Sequence, residues 1–258
     1  GAWSVPFTIF WLVACSNVIN LMDGMDGLAS TISCIALATL ATMALLMGRH
    51  EVVVLAVLAA ASVSGFLVHN WPPAKIFMGD SGSLTLGFLI GAFAIQASLK
   101  QAAGFMLVVP LVLISVPVFD TLMAILRRKL SGRRIGEADR GHIHHHLQDQ
   151  GFSRERSLLV IAGLCSAMAV FCVLSLLVAN DLLALMLCCS LLAVLVMARI
   201  FGHHEVNLAL QHLRAIGCVL ADMSRVLPSR LLAVRLKNMS PEQCDESWHM
   251  ACDRLAQC

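Results

Sequence analysis

Near the start of the chain Asn17, Asn20, Asp23 and Asp26 recur at every third position, with Gly24 and Gly27 beside the two acids. On a helix this spacing sets neighbours side by side along a slowly rotating stripe. The glycines predict that the helix ends there and that backbone approaches something closely. Two carboxylates and two amides suit a metal-bound diphosphate or the edge of a base. The competing use is helix capping and hydrogen bonding between helices. A second segment, FMGDSGS over residues 77–83, follows Pro72 and Pro73. Its glycine-rich backbone leads into a helix start, where free amides attract anions. Asp80 would repel a phosphate there unless a divalent cation lay between them, and magnesium binds through one or two carboxylates plus substrate phosphates. The plainer alternative is Asp80 as an N-cap. A third segment, DRGHIHHH over residues 139–146, places His142, His144, His145 and His146 behind Arg140. Imidazoles can donate to phosphate oxygens or relay protons. A histidine tract can also hold a metal, but metal ligands on a helix prefer i, i+4 geometry, which this run does not offer cleanly. Phosphate contact, aided by arginine, is the preferred reading.

The elements that must position these residues are membrane helices. The chain has 258 residues, 59% hydrophobic and 13% charged, with a mean hydropathy of +0.82. Soluble domains sit near half apolar and a quarter charged, so this composition predicts an integral membrane protein. A span needs about 20 mostly apolar residues, and about seven stretches qualify. They run near Trp3–Asn20, Leu28–Met47, Val52–Asn70, Ser83–Leu99, Phe105–Leu126, Ser157–Ala179 and Leu182–Ile200. Pro110 and Pro117 predict a kink in the fifth. The ten cysteines show no zinc spacing and read as reduced apolar fillers.

Polar and ionisable groups near hydrocarbon suggest function by default. Counting spans puts all three segments on one side of the membrane. The linker from Arg127 to Arg156 is rich in arginine, whereas the opposite side offers only Arg49 and Lys100. Positive charge is retained in the cytoplasm, so the segments face the cytoplasm. The domain reading is a transmembrane core over 1–201 and a cytosolic tail over 202–258. In that tail His203–Leu227 suits a surface helix, Arg230–Leu236 a short strand, and Ser240–Gln243 a helix start with Pro241 at the first turn. The fold class is thus all-α: a polytopic membrane helix bundle with a short cytosolic α/β tail. Gly79-Asp80-Ser81-Gly82 also matches the nucleophile segment of chymotrypsin-like proteases, but nothing here alternates as those all-β enzymes do.

DGMDGLA after Asn17 and Asn20, then FMGDSGSLTLG, then ADRGHIHHHL, in this order, resemble the polyprenyl-phosphate N-acetylhexosamine-1-phosphate transferases (glycosyltransferase family 4). The resemblance covers roughly residues 1–200. ADRGHIHH is closer to the branch that transfers GlcNAc-1-phosphate than to the peptidoglycan phospho-MurNAc-pentapeptide translocase, which stays as the alternative. The resemblance implies that undecaprenyl phosphate attacks a UDP-N-acetylhexosamine, releasing UMP, with magnesium required and manganese as its substitute. It implies Asp80 as metal ligand, and Asp23, Asp26 and Asn20 lining a nucleotide pocket with Phe77 stacked on uracil. His142, His144 and His145 would contact the diphosphate or sugar, and Asn17, Gly79, Ser81, Arg140 and His146 would help bind substrate. The implied setting is the bacterial inner membrane with the site at its cytoplasmic face, and no nucleic-acid partner. The family's earlier Asp-Asp-x-x-Asp motif has no counterpart here, so the sequence is read as a piece of a longer gene product, inactive alone, in preference to a pseudo-enzyme. Two rival classes remain. A cation transporter predicts ionisable residues deep in the spans. A non-catalytic membrane scaffold would tolerate loss of every residue named.

Overall fold

The computed structural model describes residues 3–98, 108–130 and 141–197. They form α1 (Ser4–Met22), α2 (Leu28–Leu46), α3 (His50–Asn70), α4 (Gly79–Ser98), α5 (Val108–Leu113), α6 (Ser115–Leu130), α7 (Ile143–Asp149), α8 (Arg154–Val178) and α9 (Asp181–Met197). Among the described residues the architecture is all-helical, as the composition predicts. The tail, including the strand expected over Arg230–Leu236, lies outside them, as do Arg140 and the rest of the 131–140 linker.

Among the described residues four helices are long and apolar enough to cross a membrane, α1, α2, α3 and α8, and α9 is a shorter apolar helix. Burial separates their roles. The central helix is α2, buried along most of its length and packed against α3, α4 and α8. By contrast α3 buries only Val52, Ala56, Val63 and Asn70, one stripe at helical spacing. Its remaining Val54, Leu55, Val57, Leu58 and Val68 are exposed. Such an apolar outer face costs nothing in hydrocarbon and would be costly in water. The same division holds for α8, whose buried stripe runs Leu158, Ile161, Cys165, Met168 and Cys172. Cys15, Cys165, Cys172 and Cys188 are buried and take part in no disulfide among the described residues, which fits their reading as apolar filler.

The fourth and fifth expected spans shift at their boundaries. The helix predicted from Ser83 begins at Gly79, which moves Asp80 and Ser81 inside the first turn. The fifth span breaks fully at Ile114, between α5 and α6. Pro117 then falls in the first turn of α6, where its missing N–H would have had no partner in any case. A continuous helix would have left the Leu113 carbonyl facing a proline.

The crossing of α1 with α4 places the site. Gly87 and Gly91 lie four residues apart on α4. A methyl group at Gly87 would sit 2.5 Å from the Cys15 carbonyl oxygen and 2.6 Å from the Ser16 Cα. Backbone therefore packs on backbone, as small residues permit inside membranes. The Trp11 indole N–H donates to the Gly91 carbonyl at 3.1 Å and fixes the register.

Candidate active site

Because α1 and α4 run so close, the end of one meets the start of the other. The Asn20 amide donates to Asp80 Oδ1 at 3.1 Å and to the Ser83 hydroxyl at 2.9 Å. Asp23, at the C-terminus of α1, accepts from the Gly79 backbone N–H. Burial, and then the neighbouring Asp80 charge, push the Asp23 carboxyl above its usual range, with the Gly79 hydrogen bond pulling back. Asp80 is exposed in the first turn of α4, where the helix dipole favours negative charge. It is not the N-cap of the plainer reading, because the helix begins one residue before it.

The glycine-rich turn between α1 and α2 is held by Asn70, the last residue of α3. Its side-chain oxygen accepts from the Gly27 N–H at 3.0 Å and from the Ser30 hydroxyl at 2.7 Å, and its amide donates to the Ile76 carbonyl at 2.9 Å. Gly27 has φ +75°, and a side chain there would press on Leu158, Pro72 and Asn70. Only glycine suits that position. Asp26 serves the same framework: its Oδ2 accepts from the Ala74 N–H at 3.2 Å and lies 3.8 Å from the Arg154 guanidinium.

The third segment comes back over this turn. His142 stands at the N-cap position of α7, and His144, His145 and His146 lie within the helix. The His144 ring packs 3.5 Å from the position a Gly24 side chain would take. Gln148 donates to the Met25 sulfur at 3.2 Å. His144 is 2% exposed, and among the described residues neither ring nitrogen has a hydrogen-bond partner. Burial, then the adjacent His145, hold its pKa down at about 4, with Asp120 opposing. It is therefore a neutral imidazole near pH 7, with one donor and one acceptor to offer.

All three segments thus converge at one end of the bundle. Asn20, Asp23, Gly79, Asp80 and Ser83 form one cluster; His142, His144 and His145 form a second against Gly24. Ser81 is exposed in the same first turn as Asp80, and Phe77 is 77% exposed just before it. His146 faces Gln150 at the far end of α7. Asn17 is not brought in: it is exposed and donates to its own helix at Val13. Arg140 lies outside the described residues. Asn70 and Asp120 were not among the sequence candidates. Asn70 sits at the end of an apolar run, and Asp120 is an acid inside the expected fifth span, a signal that was there to be read.

Among the described residues no group of three or more His, Cys, Asp or Glu side chains is placed to hold a metal ion. Two carboxylates, Asp23 and Asp80, lie near enough at an open rim for their charges to interact. That set fits a magnesium ion completed by substrate oxygens better than an all-protein cage.

The fold and site define a multi-pass helical membrane protein with an acid, amide and imidazole centre at one end. Residues 1–98 match the family model described as Glycosyl transferase family 4, which bears out the resemblance carried by the first two segments. The chain is 45% identical over 161 residues to a Bacillus subtilis protein described as "Probable undecaprenyl-phosphate N-acetylglucosaminyl 1-phosphate transferase", covering 62% of this chain and 45% of that protein. It is 40% identical over 162 residues to a Moorella thermoacetica phospho-N-acetylmuramoyl-pentapeptide-transferase, covering 62% and 48%. A Mycolicibacterium smegmatis decaprenyl-phosphate N-acetylglucosaminephosphotransferase is 41% identical over 121 residues, covering 42% and 29%. The chain spans less than half the length of each of these three relatives.

Proposed function

We propose that this chain carries much of the substrate site of a transferase that moves GlcNAc-1-phosphate from UDP-GlcNAc to undecaprenyl phosphate. The observation that carries the reading is the convergence of Asn20, Asp23, Asp80 and His144 at one end of an apolar bundle. A lipid phosphate lies at headgroup level and a sugar nucleotide is dissolved in the cytosol. A reaction joining them belongs at a rim of this kind, on the cytoplasmic face of the inner membrane.

In the proposed reaction a lipid phosphate oxygen attacks the sugar-linked phosphorus. The bond to the UMP oxygen breaks, and UMP leaves with that electron pair. Phosphoryl transfer is mostly positioning and charge neutralisation. Magnesium, or manganese in its place, would be held by Asp80 with Asp23 and would offset charge on the diphosphate. Burial first and the Asp80 charge second push the Asp23 carboxyl up, and a cation between the two acids would relieve that second contribution. Neutral His144 supplies a donor to a phosphate oxygen without bringing its own charge into a buried place. Phe77 offers an exposed ring for a base to stack on.

The test is UMP release by the native gene product containing these residues, with undecaprenyl phosphate in micelles. Turnover with UDP-GlcNAc that is abolished by chelator and restored by magnesium is expected. Turnover only with UDP-MurNAc-pentapeptide would move the chain to the activity named for its Moorella thermoacetica relative. No UMP from either donor would refute the reading.

A further inference from the structure

Asp120 is 1% exposed, the one fully buried carboxylate among the residues whose side chains are described. It sits in α6, in the apolar interior, where an ionised group is costly unless every lone pair is used. Both of its oxygens are used, and both on the histidine segment. Oδ2 lies 2.9 Å from His142 Nδ1, and Oδ1 accepts from the Ile143 N–H at 2.9 Å. An ionised carboxylate only accepts hydrogen bonds. A neutral His142 must then carry its proton on Nδ1, which leaves the lone pair on Nε2.

The contact continues towards the first cluster. The His142 ring stacks on His144, with centroids 5.9 Å apart and planes 8° from parallel, and His144 rests against Gly24 beside Asp23. From the same face of α6, seven residues on, the Arg127 guanidinium occupies the space beside Gly141 that a side chain would need. The face of α6 that bears Asp120 and Arg127 is therefore a seat for the start of α7.

We propose that Asp120 is a positioning residue. It fixes the tautomer of His142 and anchors the first turn of α7, so that the imidazoles stay over the DGMDG turn. The inference deepens the transferase reading and rests on it only for the purpose of the imidazoles; the tautomer and the anchoring stand on geometry alone. In a phosphoryl-transfer site the result is a His142 whose free nitrogen is Nε2, held ready to accept a proton or a hydrogen bond. Removing the outer partner of a metal-bound histidine typically costs about 10- to 100-fold, and a loss of that order is expected for the partner of His142.

The experiment uses the full chain in nanodiscs, labelled with 15N-histidine, near neutral pH or slightly above. His142→Gln identifies the His142 signals by their loss. The expected wild-type spectrum shows His142 protonated at Nδ1 and bare at Nε2. Asp120→Asn can donate to Nδ1 as well as accept, so it should shift His142 towards the Nε2–H form and speed amide exchange across α7. A wild-type His142 protonated at Nε2 overturns the proposal, whether or not the variant folds. So does an Asp120→Asn chain with an unchanged His142 tautomer. UMP release by the native gene product is scored separately. Loss of about 10- to 100-fold in Asp120→Asn supports the positioning role. If the native gene product releases no UMP while the tautomer result holds, the transferase reading fails and the Asp120 assignment stands.

Discussion

Asp80 and His144 are the two residues at which the chemistry is most exposed to test. Asp80 meets Asn20 and faces Asp23 across an open rim. Asp80→Asn keeps the shape and removes the charge, so turnover by the native gene product should fall by about 100-fold or more, as for loss of a transition-state contact. Expression and thermal unfolding should stay unchanged; near-normal turnover would take Asp80 out of the proposed metal site. His144 predicts a pH dependence of stability. Its pKa is lowered from 6.5 to about 4 in the fold, so between those values the unfolded chain binds more protons than the folded one. The stability from burying neutral His144 is complete above pH 6.5 and drains away as the pH falls towards 4. The melting temperature should drop across that window, and His144→Gln should flatten the drop. Equal slopes in the two proteins would show that His144 does not titrate as its burial demands.

At the level of helices, the site depends on small residues and buried amides more than on the acids themselves. Asn70 ties the end of α3 to the glycine turn and to the approach to α4 through three hydrogen bonds. Asn70→Leu leaves the Gly27 N–H and the Ile76 carbonyl without partners, at about 1–3 kcal/mol for each group left buried. A clear fall in melting temperature is expected, against little change for Gly65→Ala, whose surroundings are open. The helices and the three segments were legible in the sequence because hydropathy is strong in membranes and charge is rare there. The α1–α4 crossing was not read, although Gly87 and Gly91 carry the four-residue spacing of close packing. A span count assigns sides but does not say which spans touch. Asp120 was passed over for a related reason. It lies within a run read only for its length and prolines, and its partner stands 22 residues away.

For the molecule as a whole, one end of the bundle holds the candidate chemistry and the other holds short polar turns. Ser81 and Asp149 are exposed at the first end, His50 and Asn180 at the second. With native cysteines replaced, cysteines at 81 and 149 should react with an impermeant reagent only from the cytoplasm, and those at 50 and 180 only from outside. Mixed labelling within either pair would break the common-face argument. The touching backbones at Gly87 have a longer reach than their location suggests. Asp80 lies seven residues up the same helix, about 10 Å away at 1.5 Å per residue. A methyl wedge from Gly87→Ala would tilt a stiff rod about that pivot, and the far end of the lever carries the Asp80 carboxylate away from Asn20. A lesion deep in the hydrocarbon, out of reach of nucleotide or headgroup, would then register at the bench as lost catalysis.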